Sequence, residues 1–111
     1  MHLNDLCKSL DLSVITGNTD KEFNGVYTGD FLSRAMSRVE ELNLWITIMS
    51  NTNVIAVASL TEAAAIILAE GVELIPEAKA AAEENGITVL SSTMSAYELC
   101  VKISEYEKAR S

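Results

Sequence analysis

The sequence predicts a three-layer α/β/α domain built on a mostly parallel sheet of about five strands. Three observations carry this. Helical and strand-like patterns follow one another in the order α-β-α-β-β-α-β-α-β-α, and such alternation implies parallel strands joined by right-handed crossovers. Hydrophobic residues make up 49% of the chain and aromatic residues only 5%, so the interior is Ala, Val, Ile and Leu, which suits a sheet covered by helices. A length of 111 residues fits a single domain over residues 1–111, with one core and no repeat, linker or low-complexity segment.

Residues 2–10 read as a short amphipathic helix, because Leu3, Leu6, Cys7 and Leu10 recur at i, i+3, i+4 and i+7. Leu12 to Thr16 is a short strand closed by the turn formers Gly17-Asn18-Thr19-Asp20. The run from Asp20 to Leu32 is a connection rich in turn formers. Asp30 ends it as the expected N-cap of a helix to about Leu42, with Phe31, Ala35, Val39 and Leu42 on one face and Arg34, Ser37, Arg38 and Glu41 on the other. Trp45 to Met49 is the next strand. Ser50-Asn51-Thr52-Asn53 interrupts, and Val54 to Ala58 reads as a continuous apolar strand of the doubly buried type. So short a connection cannot hold a parallel crossover, which makes this pair an antiparallel hairpin or an unusual arrangement.

Ser59-Leu60-Thr61-Glu62 has the capping-box pattern and is expected to open a short helix. Ala65 to Ala69 either continues that helix or forms another buried strand, and the Glu70-Gly71 behind it favours the strand. Pro76 opens a helix that Asn85-Gly86 closes, with Ala78, Ala81 and Ala82 as a small face for close packing. Ile87 to Leu90 is a strand. Ser95-Ala96-Tyr97-Glu98 is a second capping box, opening a final helix to about Lys108. Trp45 and Tyr97 are expected inside the aromatic-poor core.

Charge and cysteine usage exclude several functions. A formal charge of −8 repels phosphate backbones, and no cluster of Lys and Arg offsets it, so nucleic acid is not an expected partner. An anionic membrane surface is disfavoured for the same reason, and no apolar stretch is long enough for a span. The first residues lack the pattern of a signal peptide, so the expected location is cytoplasmic. Cys7 and Cys100 fall on apolar helical stripes and read as reduced core residues rather than a thiol site. His2 is the single histidine and is expected at a frayed end, leaving no basis for a zinc site or a Ser-His-Asp triad. The pairs Glu40-Glu41, Glu83-Glu84 and Glu105/Glu107 lie on polar helix faces and read as solvated surface. No P-loop is present, no metal or cofactor is implied, and no complete catalytic constellation is visible, so the chain is not expected to be an enzyme.

In an open α/β sheet the loops at the carboxyl ends of parallel strands converge on one crevice. Thr16-Gly17-Asn18-Thr19, Ser50-Asn51-Thr52-Asn53 and Ser91-Ser92-Thr93 all follow expected strands and are small and polar. Thr16, Asn18, Asn51, Thr52, Ser91, Ser92, Thr93 and Ser95 are therefore the candidate ligand-binding residues, for a small polar or phosphorylated ligand. The helix start after Thr93 is the more open anion site, because no acid occurs there before Glu98. At the other candidate start, Asp30 would place its own carboxylate where a phosphate would sit.

The run Asp20-Lys21-Glu22-Phe23-Asn24-Gly25-Val26-Tyr27-Thr28-Gly29-Asp30-Phe31-Leu32 resembles the signature of the DRTGG domain family, with Asp20, Gly25, Tyr27, Gly29, Asp30, Leu32 and Ser33 in matching places. The segments Trp45–Ile48, Asn53–Ala58, Ile66-Ile67, Glu70-Gly71, Ile87–Ser92 and Ala96–Leu99 resemble the same family. Lys21 stands for the motif arginine, Asn24 for its threonine and Val26 for its second glycine. Lysine keeps the charge but loses the bidentate fork, and valine loses the freedom to reach positive φ, so a binding role of this loop is eroded.

The resemblance implies a fold related to the N-terminal domains of HPr kinase/phosphorylase and of Mur ligases. It also implies a non-catalytic regulatory or ligand-sensing module of the kind found beside CBS pairs or as small stand-alone proteins. A kinase label would belong to the separate P-loop domain of such relatives. The expected partners are a second copy in a homodimer, another protein, and a small polar or nucleotide-like ligand. The alternative is an accessory interaction subunit of a redox, hydrogenase-linked or other metabolic complex, with no small-molecule ligand.

Overall fold

The alternation folds into one five-stranded sheet with helices on both faces; the computed structural model describes residues 1–110. In chain order the elements are α1 (Leu3–Leu10), β1 (Ser13–Thr16), β2 (Val26–Thr28), α2 (Leu32–Arg38), β3 (Leu44–Thr47), α3 (Thr52–Thr61), β4 (Ala65–Leu68), α4 (Pro76–Glu84), β5 (Val89–Ser91) and α5 (Ala96–Arg110). The strands lie in the order β1-β5-β4-β3-β2. β2, β3, β4 and β5 are parallel, and β1 runs antiparallel to β5 at one edge, with an irregularity between Val14 and Thr16. One helix separates each parallel pair in sequence, which is the connection parallel strands need.

Two apolar layers hold the helices to the sheet. Leu44 and Ile46 of β3 join Leu3 and Leu6 of α1 and Leu99 and Ile103 of α5 in one cluster. Trp45, between them, joins Ala35 of α2, Val54 and Ile55 of α3 and Ala78 and Ala82 of α4 in the other. β4 splits the same way, Ala65 and Ile67 against Ile66 and Leu68. Every residue of β3 and β4 is buried, which is why these strands read as apolar runs instead of alternating ones. Cys7 is buried and Cys100 half-buried, and burial raises the pKa of both free thiols.

The largest departure from expectation is Val54 to Ala58, which is helix, not strand. A short apolar run does not distinguish a buried strand from a buried helix segment. Here the flanking residues decide. The Asn51 side chain accepts from the N–H groups of Asn53 and Val54, and Glu62 closes the helix in the left-handed region at φ 58°. Ser59-Leu60-Thr61-Glu62 is therefore a helix end rather than a capping box, and Thr61 Oγ1 donates back to the Val57 carbonyl. The expected close pair of strands disappears with this correction, and Ala65–Leu68 takes the strand position that was favoured for it.

Smaller shifts have local causes. The second helix ends at Arg38 rather than near Leu42, because Asn43 Oδ1 accepts from the Glu40 N–H and turns the chain into β3. Val26–Thr28 forms a strand that the surrounding Gly, Asn and Thr residues hide from periodicity. β5 covers Val89–Ser91 rather than 87–90. His2 is not frayed: it caps α1 through Nδ1 and places Nε2 3.1 Å from Asp20 Oδ1. Trp45 is buried as expected, but Tyr97 is 78% exposed on the outer side of α5. No helix among the described residues is long and apolar enough to cross a membrane.

Candidate functional site

Ligand sites in parallel sheets form where strand ends leave space between successive loops. At the carboxyl ends of β4 and β5 the chain is tied down by backbone pairs. Glu70 and Gly71 donate their N–H groups to the carbonyls of Met94 and Ser92, each at 2.8 Å, and Ser92 N–H reaches the Leu68 carbonyl at 3.0 Å. A cavity of about 340 Å³ opens beside these loops, lined by Ser91, Ser92 and Thr93 together with Asp11, Ser13 and Gly71. A second, of about 410 Å³, adjoins it through Gly71 and Ser91 and is lined also by Glu73 and Lys79. Among the described residues, Asp11 is the only charged one lining the first, and Lys79 the only basic one lining either.

The eight candidate residues divide into four groups. Ser91, Ser92 and Thr93 line the first cavity together. Ser92 Oγ accepts from the Met94 N–H at 3.0 Å, a local turn that fixes the loop. Ser95 is adjacent but occupied. Its Oγ accepts from the Glu98 N–H, and its own N–H donates to Glu98 Oε1, both at 3.1 Å. The capping box is thus formed as the sequence indicated, and Glu98 folds a carboxylate back to the helix start, so α5 does not offer the open anion end expected of it.

Asn51 and Thr52 lie at the same end of the sheet, beyond the 69–75 loop, which is bonded to theirs from Ile75 N–H to the Ser50 carbonyl at 3.2 Å. Asn51 caps α3, and Thr52 lines a different groove, between α3 and α4. Thr16 and Asn18 are at the opposite end altogether. Because β1 is antiparallel to β5, its carboxyl end meets the start of β5: Thr16 Oγ1 donates to the Ile87 carbonyl and Thr88 Oγ1 to the Asn18 carbonyl, each at 2.8 Å. The structure does not bring the three polar loops into one pocket. Asp11, Ser13 and Gly71 were missed; Glu70-Gly71 behind a strand was a usable signal, whereas Asp11 and Ser13 reach the site only through the reversed edge strand.

The run from Asp20 to Asp30 is stretched along the sheet edge and has no single pocket. At one end Asp20 faces His2, and Lys21 Nζ donates to the Ala64 carbonyl at 3.1 Å. The Gly25 carbonyl accepts from the Leu44 N–H, and Val26 and Tyr27 enter β2. At the far end the Gly29 carbonyl accepts from Trp45 Nε1 at 3.0 Å. Asp30 does not cap α2, whose N-cap is Phe31. Its Oδ1 instead accepts from Thr47 Oγ1 at 2.7 Å and from the Ile48 N–H at 2.9 Å, tying the end of β2 to the end of β3.

Burial holds Lys21 below the ordinary lysine pKa. A lysine lowered on folding binds fewer protons in the folded than in the unfolded chain between its two pKa values, so stability rises with pH across that window. The wild-type chain is expected to gain stability relative to Lys21→Met as pH is raised toward the ordinary lysine range. Urea midpoints of both chains at each pH measure this, and parallel curves would remove Lys21 as the source.

Geometry defines the class first: a mostly parallel α/β domain with a hydroxyl-lined cleft at its strand ends and, among the described residues, no cluster of three His, Cys, Asp or Glu side chains able to hold a metal. The same fold occurs in the crystal structure of the CBS and DRTGG domains of the regulatory region of Clostridium perfringens pyrophosphatase, complexed with its activator diadenosine tetraphosphate. That structure matches with a TM-score of 0.73 at 16% identity, over 92% of this chain and 45% of the other, so this chain spans less than half of that region. No curated protein shows significant similarity. The DRTGG domain model matches residues 5–106, and the chain belongs to the DRTGG domain family.

Proposed function

We propose that this chain is a non-catalytic regulatory module that binds a small polar, nucleotide-like ligand in the cleft beside Ser91–Met94. The observation that carries the reading is the grouping of the hydroxyl-bearing residues Ser91, Ser92 and Thr93 around the cavity that Leu10, Asp11, Ser13, Gly71 and Met94 complete. The activator-bound regulatory region that shares the fold supports it. Lining chemistry narrows the ligand. A cavity with Asp11 and no basic side chain suits a neutral or donor-rich part such as a nucleoside; the adjoining cavity, where Lys79 faces the same space as Glu73, is the one that offers a phosphoryl group a cationic partner.

Titration with adenosine, AMP and diadenosine tetraphosphate, followed by calorimetry and amide NMR shifts, is the test. The amides of Gly71 and Ser91–Met94 are expected to shift, and Ser91→Ala with Thr93→Ala to weaken binding about tenfold. A set of spectra in which these amides never move would sink the reading. The output of such a module passes through contact with a second copy of itself. The alternative, an accessory interaction subunit without a ligand, is favoured by the exposed Tyr97 beside Cys100 and Val101 on α5; a stoichiometric partner in a pull-down, with no nucleotide-induced thermal shift, would select it.

A further inference from the structure

α3 packs against α2 on one side and α4 on the other, so the three helices form one layer over the sheet. Its outer surface is unlike the rest of the molecule. From Leu42 to Thr61 no residue is charged, in a chain carrying 16 acidic and 8 basic residues. Ala56 and Ser59 are exposed on α3, and Leu60 projects with 68% of its surface open. Leu60 stands on the wall of a groove of about 410 Å³ between α3 and α4, lined also by Thr52, Ile55, Ala56, Ser59, Ala81 and Asn85.

We propose that this α2–α3–α4 face is a docking surface for a second copy of the chain, with Leu60 and its adjoining groove at the centre of a two-fold contact. This rests on the self-association part of the proposed function and names its surface. Three features select a second copy. Two chains of charge −8 repel, and a strip without charge is where they approach at least cost. A projecting apolar side chain on the rim of a concave, uncharged groove gives one patch both a protrusion and a hollow, which suits the self-complementarity a two-fold interface needs.

The flanks are oppositely charged. α2 carries Arg34 and Arg38 and no acid, while α4 carries Glu77, Glu83 and Glu84 against Lys79. Arg34 and Arg38 make no ion pair among the described residues. A two-fold axis along α3 lays α2 of one copy over the partner's α4 and brings these charges together. An axis across α3 would set arginine against arginine.

Light scattering across a dilution series tests this. The wild-type chain is expected at twice the chain mass at high concentration. Leu60→Glu and Ala56→Glu alter exposed positions, so circular dichroism is expected to stay native while each raises the dimer dissociation constant at least about tenfold. Arg34→Glu with Arg38→Glu is expected to weaken the dimer, and adding Glu77→Arg and Glu84→Arg to the same chain to restore it. A monomer at every concentration overturns the proposal together with the self-association reading. A dimer indifferent to Leu60→Glu and Ala56→Glu overturns the surface alone, and failure of the double exchange to restore overturns the axis. Nucleotide titrations report separately on the ligand cleft.

Discussion

Replacing Gly17 by alanine is expected to lower the stability of the domain by about 3 kcal/mol, the sum of left-handed backbone strain and an overpacked contact. Gly17 sits at φ 75°, and a Cβ there would lie 2.6 Å from Thr88 Oγ1 and 2.7 Å from Thr88 Cα. The second contact is with backbone, so it cannot be relieved by a rotamer change. Thr88 is also pinned, because its hydroxyl donates to the Asn18 carbonyl. Opening the turn would therefore strain the pairing of β1 with β5. Gly71→Ala is the control: φ there is 70°, but nothing lies within 4 Å of the added carbon, so only about 1 kcal/mol is expected. Urea midpoints with unchanged slopes would show both effects, and equal losses at the two sites would contradict the steric account.

Trp45→Ala is expected to cost about 4 kcal/mol, the range for emptying a large aromatic site. The side chain is 0% exposed and packs between the sheet and the α2–α3–α4 layer, where no water can fill the void favourably. Trp45→Phe separates the packing from the hydrogen bond. It keeps most of the apolar volume but leaves the Gly29 carbonyl without its partner, with an expected loss of about 1–2 kcal/mol. Trp45 is the chain's single tryptophan, so unfolding is followed by circular dichroism. If Phe costs as much as Ala, the bond to Gly29 and not the volume is the stabilising element.

The fold class and most elements were legible because their signals are local. Pro76 and the Asn85-Gly86 pair bound α4, Ser95 and Glu98 form the capping box that opens α5, and Glu70-Gly71 rightly turned Ala65–Leu68 into a strand. Val54–Ala58 misled because α3 is apolar on its exposed side as well as its buried one, through Ala56 and Leu60, which erases the helical period that separates it from a buried strand. The candidate cleft was legible only in part. Ser91–Thr93 could be found from composition behind a strand. That Thr16 and Asn18 belong to the other end of the sheet depends on β1 running antiparallel, a long-range pairing with no local mark. Asp30 carries the local mark of a cap because acids before helices usually are caps, yet Thr47 at the end of β3 and Ile48 just after it compete for the same oxygen and win.

α4 gives the two proposed surfaces a common wall. Lys79 lines the cleft at the strand ends, and Ala81 of the same short helix and its C-cap Asn85 line the groove beside Leu60. Occupancy of one cannot displace this helix without reshaping the other. Thermodynamic linkage then demands symmetry: whatever factor a ligand adds to dimer affinity, dimerisation must add to ligand affinity.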